Sequence, residues 1–252
     1  MYKFLLKPNW LAAHLLVICL ALFFSSLGFW QLNRLNQIKK YNKELIVKMK
    51  QNPKSLAELA NIYNFKSDIE QLNYLPVKIF GRFDPSYEVL LRGRSYSGQA
   101  GYNILSPFIT NDFVIMVERG WVPIQYNSPP IKDALPSIDE VVIIGKIYPS
   151  QKAATNWTAR LLPKDPEGQL KIMAYADIER LSKQVPYKLV DFYLKLEQQI
   201  PEQNSQLPLA LIPPKLSNGN HLSYALQWFA FVLIGLIGYA LIVRKRILKG
   251  HN

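Results

Sequence analysis

The chain has 252 residues, enough for one modest domain plus membrane segments, and a formal net charge of +12 at pH 7. No zinc-finger spacing and no sustained basic recognition helix accompany that charge, so nucleic acid is set aside and anionic lipid is the expected partner of the basic residues. The single cysteine, Cys19, rules out an intrachain disulfide and a thiolate metal cluster.

The first element is an uncharged run between Lys7 and Arg34. Its core, Leu11 to Phe29, reaches the roughly 20 apolar residues that cross a bilayer as a helix, and Trp10 and Trp30 bracket it as interfacial aromatics do. A signal peptide is the competing reading, with Lys3 and Lys7 as the charged region and Ser26-Leu27-Gly28 as a loose cleavage site. The run is long for a signal, and Leu32, Leu35, Ile38, Leu45 and Met49 continue at helical spacing. Residues 1–33 are therefore expected as a retained transmembrane helix and 34–73 as a helical connector, with short helices over Ser55–Tyr63 and Ser67–Asn73.

From Tyr74 the pattern changes to short apolar runs bounded by Gly, Pro, Asn and Asp. Strands are expected over Leu75–Phe83, Tyr87–Leu91, Gly101–Ile109, Phe113–Val117, Val141–Tyr148, Leu170–Tyr175 and Leu189–Leu196. Asn111-Asp112 reads as a hairpin turn, Gly93 to Gly98 as a flexible loop, and Asp177–Val185 as a capped short helix. The expected fold class is membrane α+β: two transmembrane helices flanking a small antiparallel β-barrel or sandwich, residues 74–200, outside the cytoplasm. Pro201, Pro208, Pro213 and Pro214 mark an extended linker over 201–217.

A second uncharged run gives a transmembrane helix over 218–245, followed by a tail over 246–252. Arg244, Lys245, Arg246 and Lys249 follow this span and Lys215 precedes it, which favours a cytoplasmic C-terminus. The first span votes the other way, since Lys3 and Lys7 precede it while Arg34, Lys39, Lys40 and Lys43 follow. The larger asymmetry of the second span decides for both termini in the cytoplasm. Gly235 and Gly238, facing Ser25, Ser26 or Gly28, are the expected points of close helix approach.

The segment between the spans has no histidine before His221, so Ser-His-Asp and Cys-His catalytic arrangements are excluded there and no enzyme is expected. Asn156-Trp157-Thr158 fits a glycosylation acceptor, meaningful only in a eukaryotic secretory protein. Arg119-Gly120-Trp121-Val122-Pro123 closes a strand. It reads either as a structural corner, with glycine supplying unusual backbone geometry, or as a surface presenting Arg119 and Trp121 to a propionate-bearing ring or a protein partner. His221 stands at the mouth of the second span, with Tyr224, Ala225 and Trp228 following on one helix face. A metal ligand above an aromatic stripe points to a flat apolar metal-bearing ligand such as heme. The plainer alternative is a polar helix-start residue above interfacial anchors.

Four segments together resemble the Surfeit locus protein 1 family, the Shy-type cytochrome oxidase assembly factors. They are Leu27-Gly28-Phe29-Trp30-Gln31-Leu32-Asn33-Arg34; Gly81-Arg82-Phe83-Asp84 with Gly101-Tyr102-Asn103-Ile104-Leu105-Ser106-Pro107-Phe108; Val117-Glu118-Arg119-Gly120-Trp121-Val122-Pro123; and Asn220-His221-Leu222-Ser223-Tyr224-Ala225-Leu226-Gln227-Trp228-Phe229. The resemblance implies an inner-membrane protein that assembles heme-copper terminal oxidases by holding heme a or presenting it to the catalytic subunit. It implies His221 as the iron ligand, with Tyr224 and Trp228 beside it, and contact with the heme a synthesis machinery. Trp30, Arg34, Gly81, Gly101, Tyr102, Arg119 and Trp121 are implied as partner or structural positions. The alternative is a scaffold without heme that grips oxidase subunits through the outward β domain.

Overall fold

The computed structural model describes residues 3–65, 67–153, 165–203 and 205–249. Asn156-Trp157-Thr158 lies outside the described residues. The chain divides into two units, one of residues up to Leu45 together with those from Lys215, the other Ile46–Pro214.

The first unit is a helix pair. Helix α1 (Pro8–Met49) starts on proline, whose missing N–H needs no partner in a first turn, and runs unbroken for 42 residues. Helix α5 (His221–Lys249) has 29. Each contains a window of mean hydropathy 2.2, of which only 6% and 0% is buried. Apolar on all sides yet unburied by protein, both have the length and composition of helices solvated by lipid. They pack antiparallel. They come close at Gly28, where an added Cβ would stand 2.6 Å from the Phe229 ring. Gly235 and Gly238 do not serve that purpose: nothing lies within 4 Å of where their Cβ atoms would be. A glycine permits close approach only where a neighbour fills the space, and here a large ring fills it at one position.

The second unit is built on a mixed sheet of seven strands: β1 (Pro76–Phe83), β2 (Val89–Tyr96), β3 (Gln99–Ile109), β4 (Val114–Pro123), β5 (Val141–Pro149), β6 (Ile172–Met173) and β7 (Leu189–Ile200), in the order β1-β5-β7-β4-β3-β2-β6. The all-antiparallel expectation fails at two pairs, β4 with β7 and β2 with β6, which are parallel. Side-chain alternation reports which face is buried and is silent on a neighbour's direction. Nor is the sheet a closed barrel. The end of β1 also pairs with the end of β3, but only through Arg82 with Ile109 and Phe83 with Phe108. Gly81 permits that corner, because a Cβ there would run into the Ile109 carbonyl.

The sheet is covered on both faces. Along β4, Ile115 and Val117 join one core with Phe108, Ile143, Phe192 and Leu194; Val114 and Met116 join a second with Leu91, Leu105 and Tyr193. The first core is capped by α2 (Leu56–Ala60) and α3 (Ile69–Leu72) through Leu56, Leu59 and Leu72, the second by α4 (Ile178–Leu181) through Ile178 and Leu181. Each of these fully buried aliphatic side chains contributes roughly 1.5–3 kcal/mol relative to exposure. The helix α2 starts on a capping box: Ser55 Oγ accepts from Glu58 N and the Glu58 carboxylate accepts from Ser55 N.

Gly93 to Gly98 is not a loose loop. β2 continues to Tyr96, and Ser97 and Gly98, both at positive φ, make a two-residue hairpin turn into β3. The linker is only partly free: Leu209 pairs with Trp121 through two backbone hydrogen bonds of 2.8 Å.

Candidate functional site

The turn into α5 sets the position of His221. Gly219 takes φ +66°, which suits glycine, and its N–H donates to Ser217 Oγ at 3.0 Å. Asn42 on α1 latches the same turn, its Nδ2 donating to the Ser217 carbonyl at 3.2 Å and to Asn218 Oδ1 at 3.1 Å. A side chain at position 219 would begin 3.2 Å from His221 Nε2, so glycine keeps that edge of the ring uncrowded.

His221 Nδ1 lies 2.7 Å from Oε1 of Gln31 on α1. With the amide oxygen accepting, Nδ1 carries the proton and the lone pair is on Nε2. Metal-ligating imidazoles are generally held this way, one nitrogen fixed by an acceptor and the other presented. One imidazole suits a metal that arrives inside a macrocycle; a bare structural ion takes about four protein ligands, and among the described residues no group of three His, Cys, Asp or Glu is placed to hold one.

Below His221, Trp228 stacks on Phe24 of α1 at 5.6 Å with planes 16° apart, and both contact Phe231. Ala225 is fully buried between these positions, while Tyr224 is half exposed on the flank. His221 and Trp228 thus face α1, and Tyr224 borders the open side rather than completing the same wall. Trp30 is exposed on α1, and Arg34 donates along its own helix to Gln37 Oε1. Gln31 and Phe24 were not singled out by the sequence reading, although Gln31 lies inside the first motif; its partner is 190 positions away, and only the helix pairing reveals it.

Arg119 and Trp121 are not a presented surface. Both are buried, at 3% exposure. Arg119 Nη1 donates to Glu88 Oε2 at 3.1 Å, its Nη2 to the Ala134 carbonyl, and its guanidinium lies 5.2 Å from the centre of the Phe83 ring. Glu88 also accepts from Ser106 Oγ at 3.1 Å and Ile131 N at 2.9 Å. Burial raises the Glu88 carboxyl above its ordinary range and lowers the Arg119 guanidinium to about 10, with the pairing opposing both. Gly120 is required not by backbone twist but by approach, since a Cβ there would be 2.5 Å from the Leu209 carbonyl. Gly101 lies under Trp121, where a Cβ would stand 2.5 Å from the indole, and Trp121 stacks on Tyr96 at 5.4 Å. Tyr102 packs partly buried against the Leu90, Ile104 and Val122 cluster. These positions hold the sheet together.

A family model described as the SURF1 family matches residues 18–233. The chain belongs to the SURF1 family. A SURF1-like protein of Rickettsia felis is 32% identical over 228 residues, covering 89% of this chain and 93% of the relative. An uncharacterized SURF1-like protein of Mycobacterium tuberculosis is 28% identical over 242 residues, covering 93% and 83%. The cytochrome oxidase assembly protein SHY1 of Saccharomyces cerevisiae is 25% identical over 188 residues, covering 71% of this chain and 46% of its own length. The stretch matched by the SURF1 family includes Gln31, the whole sheet unit, His221 and Trp228, and ends before Tyr239.

Proposed function

We propose that this SURF1-family chain is a non-enzymatic membrane assembly factor for a heme-copper terminal oxidase, and that it holds heme a through His221 before delivery to the catalytic subunit. The assembly role rests on family membership and on the yeast relative's name, cytochrome oxidase assembly protein. The ligand role rests on one observation: the His221 imidazole is oriented by Gln31 so that Nε2 is the nitrogen presented, above the Phe24–Trp228 stack. The cargo brings the iron; His221 would ligate it through one nitrogen, and Trp228 and Tyr224 would lie beside it. A single protein ligand suits a carrier that must release its load. Both termini are placed in the cytoplasm and the sheet unit on the periplasmic side, where heme a leaving its synthesis machinery would be received.

The test is co-expression with heme a synthesis, purification in detergent, and visible spectra of the wild type and His221→Ala. A heme a spectrum in the wild type that is lost or shifted in the variant supports the carrier. Heme bound equally by both moves the ligand elsewhere. No heme in either folded protein favours a second reading, a scaffold acting through the sheet unit.

A further inference from the structure

The two spans meet in one register. Gln31 is against His221, Phe24 against Trp228, Gly28 against Phe229 and His14 against Tyr239. From Gln31 to Phe24 to His14 the number on α1 falls by nearly the amount that the number on α5 rises, from His221 to Trp228 to Tyr239, so a single antiparallel alignment explains these three contacts, and the Phe229 ring reaches back to Gly28 from about one turn farther along α5.

Packing does not fix that alignment equally along the pair. Near His221 a phenylalanine ring sits against a glycine and two aromatic rings stack. Farther along, a cavity of about 80 Å³ opens between the helices, lined by Val17, Leu20, Ala21, Val232 and Gly235 among others. Gly235 and Gly238 have open space where a side chain would be. In lipid, apolar surfaces gain nothing by leaving the solvent, so association depends on van der Waals fit and interhelical hydrogen bonds. Where fit is poor, one helix can slide a turn past the other at little cost.

Just beyond the gap stands a polar pair. Tyr239 Oη and His14 Nδ1 are 2.5 Å apart, their rings meet edge to face at 5.5 Å, and the Trp10 ring is 6.3 Å from the imidazole. A slide of one turn would break this bond and leave two polar groups in hydrocarbon without water. One buried polar contact sets register in coiled coils for the same reason.

We propose that His14 and Tyr239 are positioning residues: their hydrogen bond sets the register of the two spans and so keeps Gln31 beside His221, about 26 Å of helix rise away. The functional consequence rests on the proposed role of His221; the register itself does not. Both residues lie outside the stretch matched by the family model, which therefore does not account for them.

The test uses the full chain in membrane vesicles without added heme, with Cys19→Ser as background. Ala21→Cys with Val232→Cys, which line one cavity and stand level in this alignment, reports the observed register to a short thiol cross-linker. Val232→Cys with Val17→Cys or with Ser25→Cys reports a slide of one turn either way. The ratio of in-register to slid product is expected to fall about threefold to twentyfold in His14→Leu and in Tyr239→Phe, the range measured for interhelical hydrogen bonds in membranes. Exchanging the partners, His14→Tyr with Tyr239→His, is expected to restore it, which a merely space-filling role would not require. An unchanged ratio in both single variants overturns the inference, as does a lost ratio that the exchange fails to recover. If the ratio moves as expected while the wild type binds no heme in the spectral test, the register inference stands and the carrier reading falls.

Discussion

At the scale of single residues, the unit formed by Ile46–Pro214 depends on a few buried charges. Glu88 and Arg119 have fully buried side chains and pair at 3.1 Å, with Ser106 and Ile131 donating to the carboxylate and the Ala134 carbonyl accepting from the guanidinium. Removing one leaves the other uncompensated in the core, which costs about 3–5 kcal/mol. Arg119→Ala should therefore lower the urea midpoint sharply, while Arg119→Met combined with Glu88→Leu should recover much of the loss. Asp84 offers a pH test. Burial, the largest single influence, raises its carboxyl, but hydrogen bonds from Tyr187 Oη at 2.6 Å and Ser86 N at 2.9 Å, with Arg82 nearby, outweigh it and hold the group below its ordinary value. A depressed folded pKa means stability that is fully present above the unfolded value, about 3.9, and is lost as pH falls through the folded one. Tyr187→Phe should flatten that acid limb in equilibrium unfolding followed from pH 5 downward; an unaltered limb would show that Asp84 gains nothing from Tyr187. At His221, Gln31→Leu is expected to weaken heme retention by about 10–100-fold, the usual effect of losing the group that orients a ligating imidazole. Dialysis of loaded protein against apomyoglobin reads this directly.

At the scale of elements, close approach governs the glycines of the sheet. Gly101 lies beneath Trp121 and against the Val122 carbonyl, so any side chain must push β3 away from β4. Gly101→Val should lower the thermal midpoint, whereas Gly98→Asn should be tolerated: its φ of +84° accepts asparagine better than other residues and nothing lies within 4 Å. The capping box of α2 is worth about 1 kcal/mol, so Ser55→Ala should cost that amount in the same melt. The elements were legible where periodicity is clean. The strands from Leu75 to Leu196 were all anticipated, with ends off by several residues in β2, β4 and β7; in β2 and β4 this is because Gly93 and Gly120 look like terminators in a sequence and are interior strand positions in the fold. The parallel pairs were not legible, since the same alternation serves either direction.

At the scale of the whole molecule, two helices have the length and hydropathy of membrane spans and bury almost none of it in protein. The placement proposed here expects a reporter that works only in the cytoplasm to be active when fused after Lys249, and one that works only outside to be active when inserted at the exposed Ile138–Asp139 bend. The reverse pattern would show that the basic residues after the first span, Arg34 to Lys43, decide orientation instead.

The sequence alone determined what depends on runs and local chemistry: two apolar stretches of spanning length, short strands between turn residues, the motifs of the SURF1 family, and His221 as the histidine at a span's mouth. Tertiary structure decided what depends on partners distant in the chain. It placed Gln31 on His221, Phe24 on Trp228 and Tyr239 on His14, kept Gly28 but not Gly235 or Gly238 as a point of close helix approach, and turned Arg119 and Trp121 inward. A sequence pattern shows that a residue will be buried or aligned on a face; which side chain it meets there depends on register, and register is fixed only when the elements pack.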